Sequence, residues 1–193
     1  NTTGANNVFV GAAAGLKNTT GYQNVVVGRD SFYENTTGNH NTAIGYQALE
    51  KNTTASENTA VGDQALEENT TGAQNCALGF RALEQNTTAN HNTGLGHQAL
   101  KLNTTGTQNT AVGADAIDSN TTGSNITAIG YEALQANTTA NDNIAVGLKS
   151  LRSNTTGSQN VGVGVSALYS NTTAANNTAV GYKALLNNTT GER

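Results

Sequence analysis

Along this chain an aliphatic residue followed by glycine returns every 17 residues: Val10-Gly11, Val27-Gly28, Ile44-Gly45, Val61-Gly62, Leu78-Gly79 and so on to Val180-Gly181. With the same period comes a polar triplet, Asn-Thr-Thr, which opens at Asn1, Asn18, Asn35 and so on to Asn188. Residues 1–187 therefore hold eleven tandem units with no insertion or deletion, and residues 188–193 begin a twelfth. A period this strict means that each unit is one small element stacked on near-identical neighbours.

Let the positions of each unit be numbered one to seventeen from the first Asn. Position ten is always Val, Ile or Leu and position eleven is always Gly. Position fifteen is Leu, Ile or Phe except at Gly15, and position seven is Asn except at Ile126. Positions four, nine and fourteen are small in nearly every unit. Every Lys, Arg, Asp and Glu falls at position five, six, twelve, thirteen, sixteen or seventeen, as Lys17, Arg29, Glu57, Asp63 and Glu84 illustrate. The charge-free positions are expected inside the coil or against another chain, because an unpaired charge there would be costly.

These patterns predict the elements. Positions seven to ten, as in Asn58-Thr59-Ala60-Val61, read as a short strand with positions eight and ten on one face, and that face is expected to point inward. Glycine at position eleven ends the strand in a turn that other residues resist. Positions twelve to seventeen are rich in helix formers but too short for a free helix. They are expected as a helical turn or an irregular second strand, docked by pairs such as Ala65 and Leu66. Asn-Thr-Thr-Gly makes the return corner, since these side chains bond nearby backbone and Asn and Gly tolerate left-handed conformations.

The predicted fold is thus all-β: a parallel β-solenoid or β-roll of 17-residue coils, spanning on the order of 50 Å for eleven strands. Its core is expected to contain Ile44, Leu49, Val61, Leu66, Leu78 and Leu83. In-register stacking places the corner asparagines Asn18, Asn35, Asn52, Asn69, Asn86 and Asn103 above one another, where each amide can bond the next, with a second ladder at position seven. About four apolar side chains per coil is thin insulation against the entropy of ordering 17 residues. A homo-oligomeric rod is therefore expected, with the small residues leaving room for close approach of another chain. Open solenoid ends expose unpaired edges, and natural solenoids carry caps. The array is accordingly read as an excerpt of a longer one, with end-to-end polymerisation as the alternative.

Composition narrows the function classes. Pro, Met and Trp are absent, charged residues are only 11% and aromatic residues 5%, sparse for a compact enzyme domain. Net charge is −4 with no basic tract, so nucleic acid finds no electrostatic footprint. No run approaches the length of a membrane span. The single cysteine, Cys76, makes no internal disulfide framework and reads as a small buried hydrophobe.

At Asn41-Thr42-Ala43-Ile44-Gly45 the pattern resembles the short Asn-x-Ala-Ile-Gly repeats in the heads of trimeric autotransporter adhesins. It is still more similar to the Asn-Thr-Ala-x-Gly-x-x-Ala-Leu-x-x-Asn-Thr-Thr-Gly arrays of bacteriophage tail fibres and large bacterial surface proteins. The likeness covers all 193 residues. It implies parallel coils wound as a left-handed roll and association of three chains. The adhesin repeats are shorter than these, the extra residues here lying around Leu49-Glu50-Lys51-Asn52-Thr53-Thr54.

Other chemistry is weaker. The Asn-Thr-Thr triplets are formal N-glycosylation sequons, as are Asn125-Ile126-Thr127 and Asn176-Asn177-Thr178, but corner and ladder explain the triplets without sugar. Ice binding needs outward threonines alternating on one strand. Thr2 and Thr3 are adjacent, and position eight becomes Val8, Val25, Cys76, Ile144 or Val161, which suits an interior. The three histidines have no recurring partner and the acids lack the spacing of a calcium loop, so no catalytic site, metal or cofactor is expected. At position twelve Tyr46, Phe80, Tyr131 and Tyr182, with His97, form an intermittent stripe. These are candidates for contact with a surface glycan or receptor, set against partial burial by a neighbour. The sequence thus points to an extracellular fibre shaft, on a cell surface or virion appendage, that spaces a binding tip. The alternative is a module that binds a surface polymer through its aromatic stripe.

Overall fold

The computed structural model describes residues 1–191; of the stub that begins the twelfth unit, Glu192 and Arg193 lie outside the described residues. Each unit contributes one three-residue strand: β1 (Val8–Val10), β2 (Val25–Val27), β3 (Thr42–Ile44), β4 (Thr59–Val61), β5 (Cys76–Leu78), β6 (Thr93–Leu95), β7 (Thr110–Val112), β8 (Thr127–Ile129), β9 (Ile144–Val146), β10 (Val161–Val163) and β11 (Thr178–Val180). They form one parallel sheet in sequence order. The register follows the repeat, so that Thr59, Ala60 and Val61 pair with Cys76, Ala77 and Leu78. The chain is a parallel β-solenoid, and the predicted fold class holds.

Between strands the chain runs through a six-residue turn at positions twelve to seventeen and then through bends and irregular backbone; among the described residues there is neither helix nor second strand. The expectation of a helical turn or second strand at positions twelve to seventeen fails because positions thirteen and fifteen are left-handed. Gln64 has φ 56° and Leu66 has φ 52°. Isolated left-handed residues break both helical and extended continuity. This alternation aims alternate N–H groups at different coils: Gln64 donates to the Tyr46 carbonyl below at 2.8 Å, and Leu66 donates to the Ala82 carbonyl above at 3.0 Å. Stacking repays the strained dihedrals with coil-to-coil hydrogen bonds.

The core is a single column of Ala at positions nine and fourteen and Leu at fifteen, with Leu49, Leu66 and Leu83 fully buried as expected. Ile44, Val61 and Leu78 are not part of it. Ile44 is 37% exposed and Leu78 45% exposed, and Val61 is half-buried. The strand turns position nine inward and positions eight and ten outward, the reverse of the expected facing. The lumen pairs a long side chain with a smaller one across each coil. Where position nine is Phe9, position fifteen is Gly15, and a Cβ on Gly15 would lie 2.6 Å from the Phe9 ring. In most coils the leucine fills the tube opposite alanine, and coil two holds Val26 and Phe32 together, both fully buried.

Candidate functional site

Two ladders hold the corners. At position one each side-chain amide donates to the Asn below and to the position-four carbonyl of its own coil: Asn86 Nδ2 lies 2.9 Å from Asn69 Oδ1 and 3.0 Å from the Ala89 oxygen. The series runs through Asn18, Asn35, Asn52, Asn69, Asn86 and Asn103, all buried. At position seven the partner is mainly backbone rather than another amide. Asn58 Oδ1 accepts the Asn75 N–H at 2.9 Å, and its Nδ2 donates to the Gly72 oxygen at 2.9 Å. Position-two threonines add a third series, with Thr70 Oγ1 donating to the Thr87 oxygen at 3.0 Å. The corner asparagines from Asn18 to Asn171 are therefore buried structural groups. Among the sequons, Asn125 and Asn176 are exposed, and Asn125 donates to Asp142 at 3.1 Å.

The outer rim carries the charges. Lys17–Glu34 at 2.7 Å and Lys51–Glu68 at 2.6 Å link successive coils, and exposed pairs of this kind contribute little. Glu132 is more enclosed: it accepts from Arg152 and lies 3.7 Å from Lys149. The Tyr131 hydroxyl, followed by Arg152, holds its carboxyl below the ordinary range. Burial pushes Glu50, Glu67 and Asp118 upward, and at Glu67 the stacked carboxylates of Glu50, Glu68 and Glu84 push the same way. Beside this acidic column lies a shallow cavity of about 230 Å³ lined by Glu68, Glu84, Gln85, Thr87 and Thr104.

These shifts set a pH response. An acid raised in the folded state binds its proton more tightly there than when unfolded, so its stabilising effect grows on acidification and is complete below the unfolded value of 4.5 for Glu. Glu132 acts oppositely, its contribution present above 4.5 and lost as pH falls through its depressed folded value. The melting temperature should therefore rise as pH falls from neutral toward 4.5 and turn down below it as Glu132 is protonated, and Glu67→Gln should flatten the rise. Melting curves that decline steadily from neutrality would contradict this.

The aromatic stripe is not one platform. Tyr182 is 72% exposed, Tyr131 and Phe80 less so, and Tyr46 is half-buried. Arg29 lies over the Tyr46 ring at 4.6 Å, Lys183 over Tyr182 at 5.1 Å and Arg81 over Phe80 at 5.0 Å, while His97 stacks on Phe80 at 5.4 Å. The four rings sit on coils three, five, eight and eleven with Asp63, Ala114, Leu148 and Val165 on coils between them. Cation–π contacts occupy ring faces that a sugar would need. Among the described residues no three His, Cys, Asp or Glu side chains group closely enough to hold a metal.

A charge-free surface lies where the sequence pattern placed the interior. Positions eight and ten line the outer face of the sheet with Val, Ile, Leu, Thr and one Cys, and no charge enters either column over eleven coils. Cys76 is exposed on this face rather than buried, a correction that follows from the same inversion. The signal that marks the face was in the sequence. Position eight exchanges Thr, Val, Cys and Ile freely, as an outward site can, whereas position nine departs upward from Ala only at Phe9, opposite Gly15, and at Val26. No family model, curated protein or solved structure matches this chain.

Proposed function

We propose that this chain is the shaft of an extracellular fibre, adhesin-like or tail-fibre-like, in which copies associate side by side as a homotrimer and hold a binding tip away from a cell surface or virion. The observation that supports this reading is continuity. Eleven coils repeat one register, buried ladders run from coil to coil, and variation is pushed to the rim. Such a stack transmits length and stiffness without a local site. In a rod, coil-to-coil hydrogen bonds resist bending, and the rim can change without disturbing the column.

A second reading, recognition of a surface polysaccharide through the rim, has the exposure of Tyr131 and Tyr182 in its favour and the cations on the rings against it. One comparison tests both. The variant carrying Tyr46→Ala, Tyr131→Ala and Tyr182→Ala together is expected to form the same straight rods in electron micrographs and to adhere to cells and polysaccharide as the wild type does. Intact rods with adhesion lost would make the rim a binding surface, and compact wild-type particles would overturn the shaft.

A further inference from the structure

We infer that the outward strand face, the paired columns at positions eight and ten, is the seam through which one copy of this chain packs against another; the inference rests on the reading of the chain as a self-associating rod and names the face that does it. Eleven strands at about 4.8 Å make a stripe about 48 Å long; columns about 7 Å apart, with about 2 Å of side-chain radius beyond each, make it about 11 Å wide, an area on the order of 500–600 Å². Monomeric proteins rarely expose a contiguous apolar patch larger than a few hundred Å². Two such stripes face to face bury on the order of 1,000–1,200 Å², reaching the lower end of the range for specific interfaces. The charge pattern selects the same face. All the charges lie at other positions, so this is where two chains of net charge −4 meet without burying an unpaired ion.

The occupant follows from what varies. Position ten keeps its aliphatic character but not its shape, running through Val61, Leu78, Leu95, Val112 and Ile129, and position eight mixes hydroxyl, thiol and aliphatic groups. A crystalline ligand such as ice would need one group repeated at a fixed height. A second protein surface repacks around such differences, and burial of Val, Ile and Leu drives it. The inward facing expected of these residues is thus replaced by burial between chains.

The test uses the native thiol. Cys76 lies on the face and is open to solvent in the single chain, so packing must shield it. In the wild type, sedimentation is expected to give a multi-chain mass and a maleimide to label Cys76 slowly. In the double variant Leu95→Lys and Ile129→Lys the mass should fall to that of one chain, with fast labelling and an unchanged circular dichroism spectrum. Thr105→Lys with Thr122→Lys, at exposed positions off the face, should behave as the wild type. A multi-chain wild type whose Cys76 labels fast, or which only the Thr105/Thr122 variant dissociates, would overturn the seam and leave the rod standing. A single-chain wild type with fast labelling would overturn both, and inhibition of ice growth by that monomer would give the face to water instead. If the Leu95/Ile129 variant unfolds, the wild-type mass and labelling rate still decide.

Discussion

Replacing Asn86 with alanine is expected to destabilise the chain by about 2–6 kcal/mol, enough to loosen the central coils. Asn86 is fully buried. Its amide donates to Asn69 and to the Ala89 carbonyl, and its oxygen accepts from Asn103 at 3.0 Å. Truncation therefore strands one acceptor, Asn69 Oδ1, and one N–H of Asn103, while the Ala89 oxygen keeps its bond from Asn75 at 2.8 Å; each buried polar group left unpaired costs about 1–3 kcal/mol. Total stability of ordinary domains is about 5–15 kcal/mol, so the loss is a large share of what is available. In a one-dimensional stack the damage should also divide the array, because coils on either side are coupled only through their shared interface. Chemical denaturation followed by circular dichroism should show an earlier, broader transition. Thr88→Ala, two residues away at an exposed position, should shift stability by no more than about 0.5 kcal/mol. If the two variants unfold at the same denaturant concentration, the ladder does not carry the load assigned to it.

The second large effect is at glycine, and two glycines two residues apart should behave oppositely. Gly96 ends β6 with φ 137°, outside the region open to other residues. A Cβ there would lie 2.6 Å from the Gly113 carbonyl oxygen and 2.7 Å from its carbon. Gly96→Ala must pay for backbone strain of about 1–3 kcal/mol and also push the next coil away from its hydrogen bonds. A loss of at least about 3 kcal/mol is expected. Gly94, inside the same strand, occupies position nine, where most coils carry Ala. A Cβ there meets Leu83 at 3.3 Å and the Ala99 oxygen at 3.1 Å, contacts that Ala60, Ala77 and Ala111 accommodate in their own coils. Gly94→Ala should be neutral or stabilise by up to about 1 kcal/mol, through lower entropy of the unfolded chain. Thermal melts of the two variants side by side check the pair, and equal melting temperatures would contradict it.

Both effects come from backbone that the repeat forces into contact with itself. An Asn or Gly in one coil is opposed by the same residue in the next, so a substitution meets its neighbours above and below at fixed distance. This is also why rim residues such as Tyr46 and Glu57 can vary. At positions six and twelve the side chains project away from the column, and a change there alters charge or contact without altering register.

The period, the 17-residue coil, the corner at Asn-Thr-Thr-Gly and the buried leucines were all legible from the sequence alone. Each depends on an identity that stacking makes unavoidable. Asparagines at position one must lie above one another, charges must stay on the rim, and Leu49, Leu66 and Leu83 are the only aliphatic groups larger than alanine at positions eleven to seventeen of their coils. Alternation along a strand also told that positions eight and ten share a face. It did not tell which face turns inward, because a period of two is unchanged when inside and outside are exchanged. Hydrophobicity favoured Ile44, Val61 and Leu78 over Ala43, Ala60 and Ala77 for the core. The tertiary structure decided otherwise, since the strand turns position nine inward, where alanine packs opposite the leucine in most coils. The left-handed residues at positions thirteen and fifteen were likewise beyond local propensity, which favours helix there. Hydrogen bonds to the coils above and below impose them, and those partners exist only once the stack has formed.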